Sequence, residues 1–554
     1  MNAVIPSTTG QHQPQVNLRS GQRRRSSRRG FLHPLIAICA VQAALSLTLV
    51  RSNTAFADEA DYLWIGHLEI AHWLRGASWP SAYADRLLSG SPVIYPPLGA
   101  VADSIAGLAG ARILSLSLML GATIVLYLTA SRLIGRGGAA FACALWALSE
   151  PVLRLAFATY DPLSVFLTAL SAWLAVQAEY RRRPLAFVVA AAAALALANA
   201  TAYSGIVIDP VVITFAFLVW LPRLRARQTL IWTVCFAAGL AFFFGLLMTA
   251  SHSSAGLMST VLSRSGSDHQ STVIVLNDVW GYSGLIIVLG VIGAVTALSA
   301  DRKRYGALLA LLALAAFIVP AAQLRDQTGW SLDKHLAYGI WFAAIAAGYG
   351  CSKLIWWLPG AGKRIAAAGC VVALMYLAVN SWESAWEVYH DWANARSFVT
   401  AFAPVAAQSH GLLYVSGQEH VAEYYTLQGY QWSRWSQTGM SLSPVSPHSD
   451  WSSYYAGRLR SGSYGVIALF YHTTFSSAPG LPGSMLLPGH SANKYQELLD
   501  LVGDNSAEPG LPELTLALER DKAYRLVATG PYDSGTSYSG YSYGIYAIWQ
   551  KVGA

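Results

Sequence analysis

Apolar residues run along the first two thirds of this chain in long, nearly unbroken stretches, divided by short polar ones. The stretches lie at 31–50, 111–131, 138–156, 161–178, 184–201, 206–221, 229–250, 282–299, 305–322, 336–352 and 364–381. Each is close to the ~20 residues with which an α-helix crosses a bilayer while satisfying its own backbone. They predict a polytopic α-helical membrane protein of about 11 spans. Beyond 382 the pattern changes. Short strand-like runs at 411–415 and 464–470, a helix-like stretch at 494–502 and frequent Gly, Pro and Ser predict a small mixed α/β domain over 382–554.

Composition agrees with the membrane reading. Hydrophobic residues make up 54% and charged residues 12% of the 554, about half the ~25% charged share of soluble domains. The net charge of +8 matters less than where the charges fall. With the basic 1–30 tail in the cytoplasm, the expected inner loops carry Arg132 and Arg136; Arg181, Arg182 and Arg183; Arg223, Arg225 and Arg227; Arg302, Lys303 and Arg304; and Lys353, Lys363 and Arg364. The positive-inside rule is met at each of these turns. It expects 51–110, 251–281, 323–335 and the C-terminal domain on the outer side. The run at 31–50 is then a retained anchor rather than a cleaved signal, although Ala55-Phe56-Ala57 resembles a cleavage site. No basic face suited to nucleic acid appears. The five cysteines, Cys39, Cys143, Cys235, Cys351 and Cys370, all fall within or beside apolar runs and read as small packing residues.

Candidate chemistry concentrates in the first outer loop, which opens Asp58-Glu59-Ala60-Asp61-Tyr62. Ile65, Leu68, Ile70, Trp73 and Leu74 follow at helical spacing and predict a helix lying along the membrane surface. Asp58, Asp61 and Tyr62 would share one face of it, with Glu59 a quarter-turn away. Two carboxylates beside apolar surface suit a general base, helped by a divalent cation such as Mg2+ or Mn2+ on Asp58. They equally suit a solvated helix start, where acids meet the helix dipole. Asp161, followed by Pro162, stands at the same expected depth and reads either as an ordinary helix start or as a second acid of one cavity. His67, Glu69 and His72 lack the spacing of a metal-binding pair and read as surface polarity. His252, Arg264, Asp268 and His269 also lack tight ligand spacing.

The order of these features resembles a known family. A span is followed by Asp58-Glu59-x-x-Tyr62, then Tyr95-Pro96-Pro97-Leu98, Ala111-Arg112 and, at a later span, Tyr160-Asp161-Pro162-Leu163. Over residues 31–180 this is similar to the GT-C superfamily of membrane glycosyltransferases. The resemblance is to family 39 and its relatives, the protein O-mannosyltransferases and the lipid A aminoarabinose transferase. It implies a plasma-membrane enzyme of the bacterial cell envelope that moves a hexose or pentose, with inversion, from a polyprenyl-phosphate donor to a protein, lipid or polysaccharide acceptor on the outer face. It implies Asp58 and Glu59 as the catalytic carboxylates, with Asp61's neighbour Tyr62 beside them, and Asp161 assisting. The family often has Lys directly before Pro-Pro-Leu to meet the lipid phosphate; here that residue is Tyr95. The phosphate contact then passes to Arg325, Lys334 or His335 in a polar outer loop, with Arg112 either a further cation or a span-end anchor. Two other readings stay open: a lipid or sugar transporter or flippase, and a non-catalytic subunit that binds lipid-linked sugar. The nearly uncharged span interiors disfavour transport.

Overall fold

The computed structural model describes residues 32–251, 254–258, 270–299, 303–327, 329, 331–389, 392–416, 418–426, 432–435, 451–474, 511–537 and 540–553. The basic tail, His252, Arg264, Asp268, His269 and the stretch 494–502 lie outside them. The helical part is built from α1 (Leu32–Val50), α2 (Ala57–Arg75), α3 (Ser81–Leu87), α4 (Tyr95–Leu133), α5 (Gly135–Ala147), α6 (Glu150–Arg154), α7 (Asp161–Ala178), α8 (Pro184–Thr201) and α9 (Asp209–Trp220). It continues through α10 (Ala226–Ser251), α11 (Ser254–Leu257), α12 (Thr272–Ser299), α13 (Lys303–Leu314), α14 (Ile318–Asp326), α15 (Leu332–Trp357) and α16 (Ala361–Tyr389). Proline within the first two positions opens α4, α6, α7, α8 and α9, where its missing N–H would have no helical partner in any case.

Among the described residues, eight stretches are long and apolar enough to cross a membrane: Tyr95–Leu133, Asp161–Ala178, Pro184–Thr201, Tyr203–Trp220, Ala226–Ser251, Thr272–Ser299, Tyr305–Asp326 and Ala361–Tyr389. The protein is a multi-pass membrane protein. The expected run 31–50 is the shorter apolar helix Pro34–Val50. The expected continuous span at 138–156 is instead broken between α5 and α6. Pro151, with no N–H and a clash toward the preceding turn, ends the helix there. The chain then turns through 155–160 and delivers Tyr160 and Asp161.

The expected span at 336–352 lies within α15, whose residues 335–351 are all buried. Its small residues let neighbouring backbones close in, as interfaces between membrane helices favour. A Cβ on Gly348 would stand 2.3 Å from the Gly138 carbonyl oxygen of α5, and one on Gly339 2.4 Å from that of Ala315. α15 is thus the central post of the bundle, and its first turn carries Lys334 and His335.

α4 is much longer than the run that announced it. Ala106 and Gly107 leave helical geometry, Gly107 at φ 64 and ψ −163, a region essentially reserved for glycine. The kink separates an arm, 95–106, from the spanning part. Along the arm Leu98, Val101 and Ile105 are exposed.

α2 is not the surface helix the pattern suggested. Residues 59–66, Leu68, Glu69 and Ala71 are buried, and only its last turn exposes Trp73 and Leu74. It is enclosed by the α4 arm on one side and by α18 (Glu419–Tyr425) of the C-terminal domain on another, so protein covers it nearly all round. The periodicity detected its apolar face but not the second cover.

The C-terminal domain holds a four-stranded sheet in the order β1-β2-β4-β3, from β1 (Leu412–Val415), β2 (Tyr464–Thr474), β3 (Tyr524–Ser537) and β4 (Gly540–Lys551). β1 and β2 are parallel; β2–β4 and β3–β4 are antiparallel. α17 (Arg396–Gln408) covers one face with Phe398 and Phe402. α19 (Trp451–Arg460) and α20 (Leu511–Arg520) cover the other with Tyr455, Leu459, Leu514 and Leu518. This agrees with the expected mixed α/β domain. It is tied to the loop between α1 and α2: Asn53 Nδ2 donates to the Trp392 carbonyl at 2.7 Å, the Ala395 N–H to Thr54 Oγ1 at 3.0 Å, and the Ala55 N–H to Tyr425 Oη at 2.9 Å.

Gly66 of α2 has the Pro96 carbonyl oxygen 2.0 Å from where a Cβ would sit. Because that atom is backbone, Gly66→Ala should cost ~1–3 kcal/mol, read as a lower melting temperature of the detergent-solubilised protein. Gly137→Ala in α5 has open space around it and serves as the unchanged control. Equal melting of Gly66→Ala and wild type would refute the close approach.

Candidate active site

The site is organised by Glu59. Its carboxylate forms a two-armed pair with Arg112: Nε to Oε1 at 2.8 Å and Nη2 to Oε2 at 2.7 Å. Both side chains are buried, at 0% and 1% exposure. Oε1 also accepts from the Ala158 N–H at 2.8 Å, and Oε2 from the Phe56 N–H at 3.4 Å. The remaining guanidinium donors face the carbonyls of Leu49, Val50, Ser52, Asn53 and Thr54 at 3.2–3.5 Å. Phe157 and Trp392 cover the guanidinium, 5.3 and 5.7 Å from ring centre to Cζ. One ion pair therefore joins the end of α1, the start of α2, α4 and the turn before α7. A planar fork with five donors suits this; an ammonium does not.

Around that anchor three chain segments converge. Asp58 lies at the start of α2, Asp161 at the start of α7, and Lys334 in the first turn of α15. Lys334 Nζ is 2.8 Å from Asp58 Oδ2 and 3.6 Å from Asp161 Oδ2. His335 Nε2 is 3.6 Å from Asp161 Oδ1, too far for a hydrogen bond. Those two atoms are buried and have no hydrogen-bond partner among the described residues. The Asp58 side chain is 43% exposed, whereas Asp161 is wholly buried. Tyr62 and Tyr160 stack beside the acids with ring centres 4.7 Å apart. Burial, reinforced by Tyr160 and by the Asp58 and Asp161 carboxylates, pushes the Tyr62 phenol well above its usual pKa, so it keeps its proton. Behind Lys334, Arg154 of α6 bonds Asp333 at 3.2 Å and Glu150 at 3.1 Å, fixing the entry of α15.

The expected divalent cation on Asp58 meets an obstacle. The space between the Asp58 and Asp161 carboxylates is taken by the Lys334 ammonium, and a second cation beside it would be repelled. Asp58 with Asp161 does not fit a metal while Lys334 stands there.

The structure brings together Asp58, Asp161, Lys334, His335 and Tyr62 from the sequence-derived set. Glu59 and Arg112 are present but spent on each other. Tyr95 is buried behind Tyr62, its ring centre 6.2 Å away edge-on and its hydroxyl 3.3 Å from Ser115 Oγ. Arg325 stays 82% exposed, 3.9 Å from its neighbour Asp326, and pairs with neither Asp58 nor Asp161. Sequence reasoning passed over Arg154 and Asp103. Asp103 accepts from Tyr424 Oη at 2.6 Å and contacts His67 Nε2 at 2.7 Å, across 321 and 36 residues of chain. Glu69, read as surface polarity, is buried, and neither carboxylate oxygen has a hydrogen-bond partner among the described residues. Asp61 turns away from Asp58 toward His420 of α18, 2.6 Å away.

No protein-family model matches the sequence, and no curated protein matches it either. Solved structures do match in fold. The apo oligosaccharyltransferase of Archaeoglobus fulgidus has a TM-score of 0.55 at 12% identity, covering 94% of this chain and 75% of that one. Archaeal oligosaccharyltransferase AglB from the same organism, in complex with an inhibitory peptide and a dolichol-phosphate, has 0.53 at 12% identity, covering 94% and 74%. Apo ArnT from Cupriavidus metallidurans has 0.53 at 16% identity, covering 80% and 93%. The likeness is one of fold, which this chain shares with all three.

Removing one partner of the Glu59–Arg112 pair strands the other as a buried charge. Glu59→Gln should therefore cost ~3–5 kcal/mol, and Arg112→Lys should also destabilise because the fork is lost. Thermal melts showing either variant as stable as wild type would contradict the anchor. Glu69 gives a separate test. Burial alone pushes its pKa from 4.5 up to about 8, so the folded protein holds a proton there that the unfolded chain releases. Stability should fall as pH rises from 4.5 through about 8. Glu69→Gln, which mimics the protonated form, should melt higher than wild type near pH ~8.5 and alike near pH ~5. Parallel profiles for the two proteins would refute the assignment.

Proposed function

We propose that the protein is a membrane glycosyltransferase that moves a sugar from a polyprenyl-phosphate donor to an acceptor on the outer face of the plasma membrane. The observation that carries this reading is the single ammonium of Lys334 held between a half-exposed carboxylate, Asp58, and a buried one, Asp161. The GT-C fold supports it, as does the dolichol-phosphate bound in AglB. The basic inner loops support a cytoplasmic N-terminus, with the site and the C-terminal domain on the outer side.

The chemistry follows from charge balance. Asp58 accepts the proton of the acceptor hydroxyl as its oxygen attacks the anomeric carbon. The new carbon–oxygen bond forms as the bond from that carbon to the phosphate oxygen breaks on the opposite face, inverting the centre. The electron pair leaves with the phosphate, which gains a second negative charge. Protonation of Asp58 removes the anion that held Lys334, so the ammonium can meet the charge appearing on the phosphate. Asp161 holds Lys334 in place throughout. His335, whose Nε2 lies 3.6 Å from Asp161 Oδ1 and has no hydrogen-bond partner among the described residues, offers a second contact for the phosphate or sugar. Glu59 and Arg112 position this group without touching the reacting atoms. No step needs a metal at Asp58.

Asp58→Asn keeps the shape but cannot take a proton, and should lower transfer from a polyprenyl-phosphate sugar in isolated membranes by ~10²–10⁴-fold. Donor binding should persist in that variant. Near wild-type transfer by Asp58→Asn would sink the proposed base. Lys334→Met, which removes the cation alone, should lower transfer by a similar factor.

A further inference from the structure

A second cluster of ligating side chains lies one helical turn along α2 from Asp58. Asp61 of α2 meets His420 and Glu423 of α18, with one ligating atom of each within 4.8 Å of the others. His420 and Glu423 stand at i and i+3, so they share a face of α18. Asp61 Oδ1 is 2.6 Å and Glu423 Oε2 3.5 Å from His420 Nδ1. Asp61 is 8% and Glu423 2% exposed. Asp61 Oδ1, His420 Nδ1 and Glu423 Oε2 are each buried, and beyond their contacts with one another none has a hydrogen-bond partner among the described residues. Three potential ligand atoms thus converge on one point, with His420 in contact with both carboxylates. Glu419 adds another carboxylate to the same neighbourhood. The excess of buried negative charge is costly unless a cation offsets it.

We propose that Asp61, His420 and Glu423 bind a divalent transition-metal ion that fastens the C-terminal domain to the helix carrying Asp58. One imidazole with two carboxylates suits Zn2+ or Mn2+; Mg2+ prefers oxygen ligands alone. Ligands ~2.0–2.2 Å from tetrahedral zinc stand ~3.3 Å apart. The His420–Glu423 separation already fits, and the Asp61–His420 contact has to open by under ~1 Å. Three protein ligands leave a fourth position for water or for Glu419. This site is separate from the Lys334 position and does not depend on Asp58 acting as a base.

The test uses the full-length protein, purified in detergent without a histidine tag, stripped with EDTA and dialysed against micromolar ZnCl2 or MnCl2. Elemental analysis should find one Zn2+ or Mn2+ per chain in wild type and in Asp58→Asn. His420→Ala and Glu423→Gln should each bind ~10-fold or more weakly. Added metal should raise the melting temperature of wild type and not of the His420→Ala/Glu423→Gln double variant. Failure of wild type to retain either ion would overturn the proposal, as would unchanged binding in both variants. Asp58→Asn that has lost transfer but keeps its metal separates this result from the catalytic one.

Discussion

Everything at the candidate site hangs on a buried ion pair, Glu59 with Arg112. Glu59 and Arg112 neutralise each other out of water, and each also satisfies backbone groups from segments far apart in sequence. Such a pair is weak as a source of stability, because both charges were desolvated to make it. It is strong as a constraint, because any shift of α2 against α4 or of the turn before α7 would strand a charge. Asp58 is the next residue to Glu59, and Asp161 comes three residues after Ala158. The two carboxylates inherit their placement from that lock.

The cation reaches them from a third direction. α15 is buried along its middle and packed through small residues against α5 and α12. Such a helix has little freedom to slide. Its first turn projects Lys334 toward the acids, with Arg154 holding Asp333 behind it. Two rigid supports thus bring opposite charges to within hydrogen-bonding reach while Asp58 stays partly open. A soft, mobile site could not keep one ammonium poised between two carboxylates.

The spans were legible because their signal is local: α7 and α8 occupy 161–178 and 184–201, where apolar runs and Asp-Pro or Pro starts coincide. The break at Pro151 was legible too, but a long apolar run overrode it. Asp58 and Asp161 could be picked out by the order of motifs around them, and Lys334 by the polar loop it closes. Their convergence could not be read, since it depends on which helices are neighbours. Glu59 illustrates the limit best. Adjacent to Asp58 and of the same chemistry, it differs only in facing Arg112, a contact across 53 residues. The Asp61–His420–Glu423 cluster and one of the two covers of α2 depend on the C-terminal domain folding back. No periodicity within α2 announces that partner.

The kink at Gly107 has a consequence for the setting of the site. A straight helix of 39 residues would be ~58 Å long, nearly twice the ~30 Å hydrocarbon layer. By bending, the chain sets its first three turns apart from the spanning part, and Leu98, Val101 and Ile105 lie exposed along that arm. Gly66 of α2 packs against the Pro96 end of that arm. The helix that carries Asp58 is thereby tied to the arm through Gly66 and to the spanning part through Arg112. Any change in the bend at Gly107 would therefore pull the two anchors of that helix apart.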